Sequence, residues 1–313
     1  MRPRLAVAAV LMLALPACDL GKITVGTTAK ILVRGQPALN QESDYQLAHD
    51  AIPGALKTIE SFWVVDPDNE DLLGILTEGY CQYGTAFIED DWEVAKFAKK
   101  LDDIEYHNAR ATRIFTRCLN YALRQLGDKW QNDIFEAPEA VARLARDTGA
   151  GKRDQMMWAA LALGSIINHN LSRVETLAYQ PTVKIMLDRV LEIDRASPPA
   201  RPDYAALPHV AFGMLYSAAG AQLGGKPDQA KAEFEAALKL TADKDHPDGR
   251  LLLARALMGY RIGLQTNDRK FFHAQLKQVL ETPPSVWPEQ RLANEVAHRR
   301  ARRYLSHEKE LFQ

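Results

Sequence analysis

The sequence predicts an all-α protein: a right-handed α-solenoid of degenerate tetratricopeptide-like hairpins closed by a long C-terminal capping helix. Three observations carry this. Strand-like alternation is almost absent beyond the N-terminus, while apolar stripes at helical spacing recur between Pro- and Asp-rich turns. Small residues flank large ones within a stripe, as in Ala230-x3-Phe234-x2-Ala237. Four or five such units stand in register, and each hairpin leaves an apolar face that only the next can cover.

The elements follow in chain order. "MRPRLAVAAVLMLALPACDL" sets Arg2 and Arg4 before an apolar run, Leu5 to Ala17, that is too short to span a bilayer and reads as an export signal. It ends in "LPAC", which resembles a lipobox; by that resemblance residues 1–17 are removed and Cys18 is the lipid attachment site. The other reading is a soluble secreted protein with a free Cys18. In proteobacterial lipoproteins Asp after the acylated Cys tends to retain the protein in the inner membrane, and Asp19 fits; in another kind of bacterium the outer membrane is open. Residues 18–44 are expected to be a tether and 45–313 the repeat domain.

Within that domain, Ala55, Ile59 and Phe62 close a first unit at Pro67, and Leu73, Leu76 and Tyr80 open a second, whose other helix offers Ala111, Phe115 and Cys118. The charged insertion between them, "EDDWEVAKFAKKLDDIEYHNAR", predicts an extended helix pair projecting from the stack. Trp158 and Leu161 precede Val183, Leu187 and Val190 in the next unit. Gly213 and Tyr216 end one helix and Ala230, Phe234 and Ala237 form its partner. Leu253 and Tyr260 precede Phe272, Leu276 and Val279. The stretch Trp287 to Phe312 reads as the cap.

The blocks "LGGKPDQAKAEFEAAL" and "RLANEVAHRRARR", with "AIPGALKTIESFWVVDPDNEDLL" and "WAALALGSIIN" before them, resemble the TatT family from about Ala51 to Phe312. These are tetratricopeptide-repeat lipoproteins associated with TRAP (tripartite ATP-independent periplasmic) transporters. The resemblance implies a periplasmic accessory protein that partners the soluble solute-binding component, self-associates as a trimer, and carries an apolar cleft for a hydrophobic or amphipathic ligand. The alternative is a general envelope scaffold for protein–protein assembly with no link to transport.

An apolar cleft also has a basis in the residues. The concave side is expected on the helix face a quarter turn from the Trp158–Leu161 stripe, carrying Ala159, Leu163 and Ile166, then Val210 and Met214 with Ser217, then Ala254 and Met258 with Arg261. Peptide-binding repeats place Lys, Arg and Asn there; this face is mostly apolar. The competing account has the insertion or the last helix filling the concavity, which makes these residues core.

Other functions find little support. His169, His209, His246 and His273 are scattered and no H-E-x-x-H occurs, so no metal or cofactor is expected. No phosphate loop follows a strand, and Gly224 and Gly225 precede Pro227 as a turn and helix start. No nucleophile elbow surrounds Ser165 or Ser217, and no catalytic residue is assigned. The 39 basic and 40 acidic residues leave no field for nucleic acid. Glu89 to Asp91 and Asp102 to Glu105 read as solvated surface, as does the run Arg299, Arg300, Arg302 and Arg303, with Glu295 pairing to Arg299. Cys81 and Cys118 lie in apolar helical stripes, where buried free thiols are the favoured reading over a disulfide.

Overall fold

The computed structural model describes residues 20–219 and 224–312, and every regular element among them is helical. The signal segment and Cys18 lie outside the described residues. The principal helices are α1 (Leu20–Gly35), α2 (Tyr45–Val65), α3 (Glu70–Tyr83), α4 (Glu89–Phe97), α5 (Leu101–Leu126), α6 (Pro138–Asp147) and α7 (Arg153–Asn168). They are followed by α8 (Gln180–Ala196), α9 (Pro202–Tyr216), α10 (Pro227–Leu240), α11 (Leu252–Gln265), α12 (Arg269–Glu281) and α13 (Arg291–Ser306). Residues 20–35, assigned to a tether by the sequence reading, form α1 instead; Val25 and Ala29 dock it on α2 and α3.

Helix starts follow local chemistry. Asp44 accepts from the amides of Gln46 and Leu47 at 2.9 and 3.0 Å, Asn69 from Leu72 at 3.1 Å, and Asp268 from Phe271 at 2.9 Å. Pro227 opens α10, and Gly224 before it has φ +90°, a conformation that side chains resist.

The helices pack in chain order, with α4 and α6 set aside: α2 on α3, α3 on α5, α5 on α7, α7 on α8, then onward to α12 on α13. Three of these contacts repeat one device, a glycine against an aromatic ring. A Cβ at Gly84 would come within 2.7 Å of Phe115, at Gly213 within 2.8 Å of Phe234, and at Gly263 within 2.6 Å of Phe272. At Gly84 and Gly213 the missing side chain lets the ring seat on backbone; at Gly263 the near atom is Phe272 Cβ, so there the glycine lets the two helices approach closely. Ala230, Phe234 and Ala237 are fully buried, as are Phe272, Leu276 and Val279, while Trp158 is buried and Tyr216 half-buried against Phe212.

Three expectations need correction. Cys81 and Cys118 are disulfide-bonded, linking α3 to α5; both sit on facing buried sides of adjacent helices, a juxtaposition that stripe patterns do not reveal. The insertion does not project as an extended pair, because α4 continues α3 through a π-helical turn at Gly84–Ile88 and is clamped by α13. The C-terminal cap is shorter than Trp287 to Phe312: α13 starts at Arg291, after two 3-10 turns that Pro284 and Pro288 open. Asn294 fixes that helix from inside, accepting from the Leu252 amide at 3.0 Å and donating to the carbonyls of Arg250 and Pro284. Its far side touches α2, so α13 joins the last helices to the first.

Candidate functional site

An apolar cavity of about 130 Å³ lies between α7 and α9. α7 lines it with Leu161, Gly164, Ser165 and Asn168, which recur at helical spacing on one face. α9 supplies Leu207, Val210, Ala211 and Met214; Val183 of α8 and Leu257 of α11 close the sides. The space is left where small residues, Ala160, Gly164, Ser165 and Ala211, line the wall. A Cβ at Gly164 would meet Val183 Cγ1 only at 3.7 Å, an ordinary contact, so glycine there leaves room unfilled.

Besides Ser165, Asn168 and Gln180, the wall carries charged groups at one point, where Glu89 and Arg300 line it beside Thr85. Arg300 is 2% exposed and its Nη2 donates to the Thr85 carbonyl at 2.6 Å. The carboxylates of Glu89 and Glu93 stand at 3.8 and 3.9 Å, and its Nε has no hydrogen-bond partner. A guanidinium carries five donors, and leaving a buried donor unsatisfied costs about 1–3 kcal/mol. The cavity therefore combines a long apolar wall with one buried cation, Arg300, at its edge.

Behind Arg300 the charges interlock. Asp90 accepts from Arg303 Nη2 at 2.5 Å, from Arg299 Nε at 2.6 Å and from the Tyr45 hydroxyl at 3.1 Å. Glu93 accepts from Arg303 at 2.5 Å and from the Tyr304 hydroxyl at 2.7 Å. Burial pushes the Asp90 carboxyl up, but Arg303 first, then Arg300 and Arg299, outweigh it and hold it below the ordinary value. Glu89 behaves alike: burial opposes ionisation, and His169, Arg300 and Arg261 outweigh it. Tyr304 stacks on Tyr260 at 4.0 Å, and burial together with Glu93 drives its hydroxyl pKa well above 10.0.

The expected cleft residues divide. Val210 and Met214 line this cavity and are half-buried. Ala159 and Leu163 are sealed at 0% and 2% exposure, and Ile166 is half-buried against the core. At 100° per residue they lie roughly opposite the Leu161–Asn168 face, so they face the core and not this cavity. Ala254 and Met258 are also core, packed around Phe234 and Trp287, and Ser217 is buried.

The acidic stretch at Glu89–Asp91 is not solvated surface, and neither are Arg300 and Arg303 of the arginine run. Asp90 is fully buried, Arg300 and Arg303 face inward, and Arg299 pairs with Asp90 from an exposed position while Glu295 pairs with Arg291; Arg302 is exposed as well. Sequence reasoning missed Leu161, Gly164, Glu89 and Arg300 as cavity residues. Their partners lie up to 215 positions away, and no local pattern carries that information.

Among curated proteins none matches the chain. Residues 41–312 match the family of the TRAP transporter T-component, TAtT, which covers nearly all the helices that build the cavity and its charged floor. The chain therefore belongs to the family of TRAP transporter T-components.

Proposed function

We propose that this protein is a lipid-anchored periplasmic accessory of a TRAP-type uptake system, that it holds the system's solute-binding component, and that the α7–α9 cavity takes an apolar ligand with a hydrogen-bond-accepting end. The observation that carries the transport reading is the family match along residues 41–312. The ligand reading rests on the cavity: Leu161, Val210 and Met214 supply apolar contact, and Arg300 supplies donors for one acceptor group, in the manner of sites that combine an apolar wall with a few placed polar groups. Glu89 beside Arg300 disfavours a ligand of high negative charge.

Location rests on the lipobox at Cys18 and on the disulfide, which suits an oxidising compartment. No helix among the described residues is long and apolar enough to cross a membrane, so attachment is assigned to acylated Cys18. A tetratricopeptide-like solenoid is supported by the chain-order packing and by the recurring glycine–aromatic contacts. Trimeric assembly is carried by the family resemblance alone.

The test is co-purification. The tagged full-length chain, extracted with detergent from its own membranes, is expected to retain a TRAP solute-binding protein. Recovery of envelope-assembly factors without any transport component contradicts the proposal.

A further inference from the structure

We propose that the outward face of α1 rests on the surface of an anionic phospholipid bilayer. For its location this rests on the reading of Cys18 as acylated; for its chemistry it rests on the helix. α1 precedes the family-matched residues 41–312, so the match does not account for it.

The helix has two faces. Val25 and Ala29 are buried against α2 and α3. At 100° per residue, Leu20, Ile23, Thr27, Ile31 and Arg34 fall within about 80° of arc on the other side. Leu20, Ile23 and Ile31 are 74%, 54% and 65% exposed. The threonines add apolar surface too. The hydroxyls of Thr24, Thr27 and Thr28 donate back to the carbonyls of Leu20, Ile23 and Thr24 at 2.8, 3.0 and 2.9 Å, so their donors are spent within the helix.

Charge selects the occupant. Lys22, Lys30 and Arg34 lie on α1, which contains no acidic residue. The nearest acidic turn approaches the flank: Asp66 pairs with Lys22 at 3.9 Å and Asn69 lies over Gly26. Gly26 lies about 100° and Lys22 about 140° from the centre of the outward face. What remains outward is an apolar stripe flanked by Lys30 and ending in Arg34, the pattern of a helix lying in a membrane interface.

Position agrees with charge. Leu20 follows Cys18 by two residues, a reach of roughly 7 Å when extended. An acyl group on Cys18 thus brings the start of α1 to the headgroups, where exposed Leu and Ile either meet lipid or stay in water at a cost. Lying flat, α1 would also set the orientation of the cavity relative to the membrane.

The experiment uses the chain from residue 18 onward carrying Cys18→Ser, so that no acyl chain contributes. Flotation with phosphatidylglycerol-containing vesicles is expected to carry the protein up, with loss of binding at high salt or on pure phosphatidylcholine. Lys30→Gln with Arg34→Gln should weaken partitioning on the order of thirty-fold, and Ile23→Gln with Ile31→Gln should abolish it, with unchanged melting in both. Absence of vesicle binding, or binding that ignores these changes, overturns the inference. So does a change in oligomeric state on Ile23→Gln with Ile31→Gln, which would assign the face to a second copy of the chain. Fatty-acid labelling of Cys18 in the full-length chain is scored separately, so the anchor reading and the helix reading fail independently.

Discussion

The α9–α10 hairpin and the α4–α13 junction are both buried, and they are held by different physics. In the hairpin, Phe234 seats on Gly213 and all three stripe residues of α10 are sealed. At the junction, three arginines of α13 meet three carboxylates of α4 through contacts of 2.5 to 3.9 Å. Apolar packing inside one hairpin is written in local spacing. Charge pairing across more than 200 residues is not. Dispersion and apolar burial reward any partner of suitable shape, whereas a buried ion needs a particular counter-ion, so each region fails in its own way when perturbed.

The largest expected effect comes from charging a sealed apolar site. Leu163→Glu buries a carboxylate without a partner and should cost more than about 5 kcal/mol, leaving the chain unfolded or insoluble by circular dichroism. A folded Leu163→Glu would mean that this side of α7 is open.

Phe234→Ala should cost about 3–5 kcal/mol in denaturant titration, since the ring fills the gap beside Gly213 and truncation leaves a cavity. A melting temperature unchanged within a degree would remove Phe234 as the packing centre of its hairpin.

Asp90→Asn breaks the junction by removing a charge that Arg299 and Arg303 share, at a cost of about 3 kcal/mol at neutral pH. Because the folded carboxyl titrates below its ordinary 3.8, its stabilisation is complete above that value and disappears as pH falls through the lower folded value. The stability gap between wild type and Asp90→Asn should therefore narrow below pH 3.8. A gap independent of pH would contradict the ionic account.

The smallest effects come from two glycines. Gly213→Ala forces a Cβ to 2.8 Å from Phe234 and should destabilise by about 1–3 kcal/mol. Gly164→Ala meets only an ordinary contact and should gain about 0.5–1 kcal/mol from lost backbone freedom in the unfolded chain. Equal responses at the two sites would erase the distinction between packed interface and cavity wall.

These contrasts explain what was legible. Helix content and the buried stripes at Ala230–Phe234–Ala237 and Phe272–Leu276–Val279 followed from periodicity, because each stripe reports its own burial. The helical rotation of α7 did not follow: Ala159, Leu161, Leu163 and Ser165 are all compatible with either face, and the choice depends on which neighbours arrive. Cys81 and Cys118 were visible as buried residues but not as a pair. Arg300 looked like surface charge because its environment comes from Thr85, Glu89 and Glu93, far away in the chain.

The most direct test of the central claim, that the α7–α9 cavity is a ligand site, is native mass spectrometry of the full-length protein from its own membranes beside Met214→Glu. Met214 lines the cavity and is half-buried, so water can solvate the new carboxylate while an apolar ligand loses contact and meets a charge. The account predicts a small apolar molecule on the wild type and its loss from a Met214→Glu protein that still melts within a few degrees of wild type. A wild type that carries no such molecule, or a folded Met214→Glu that retains it, would contradict the account.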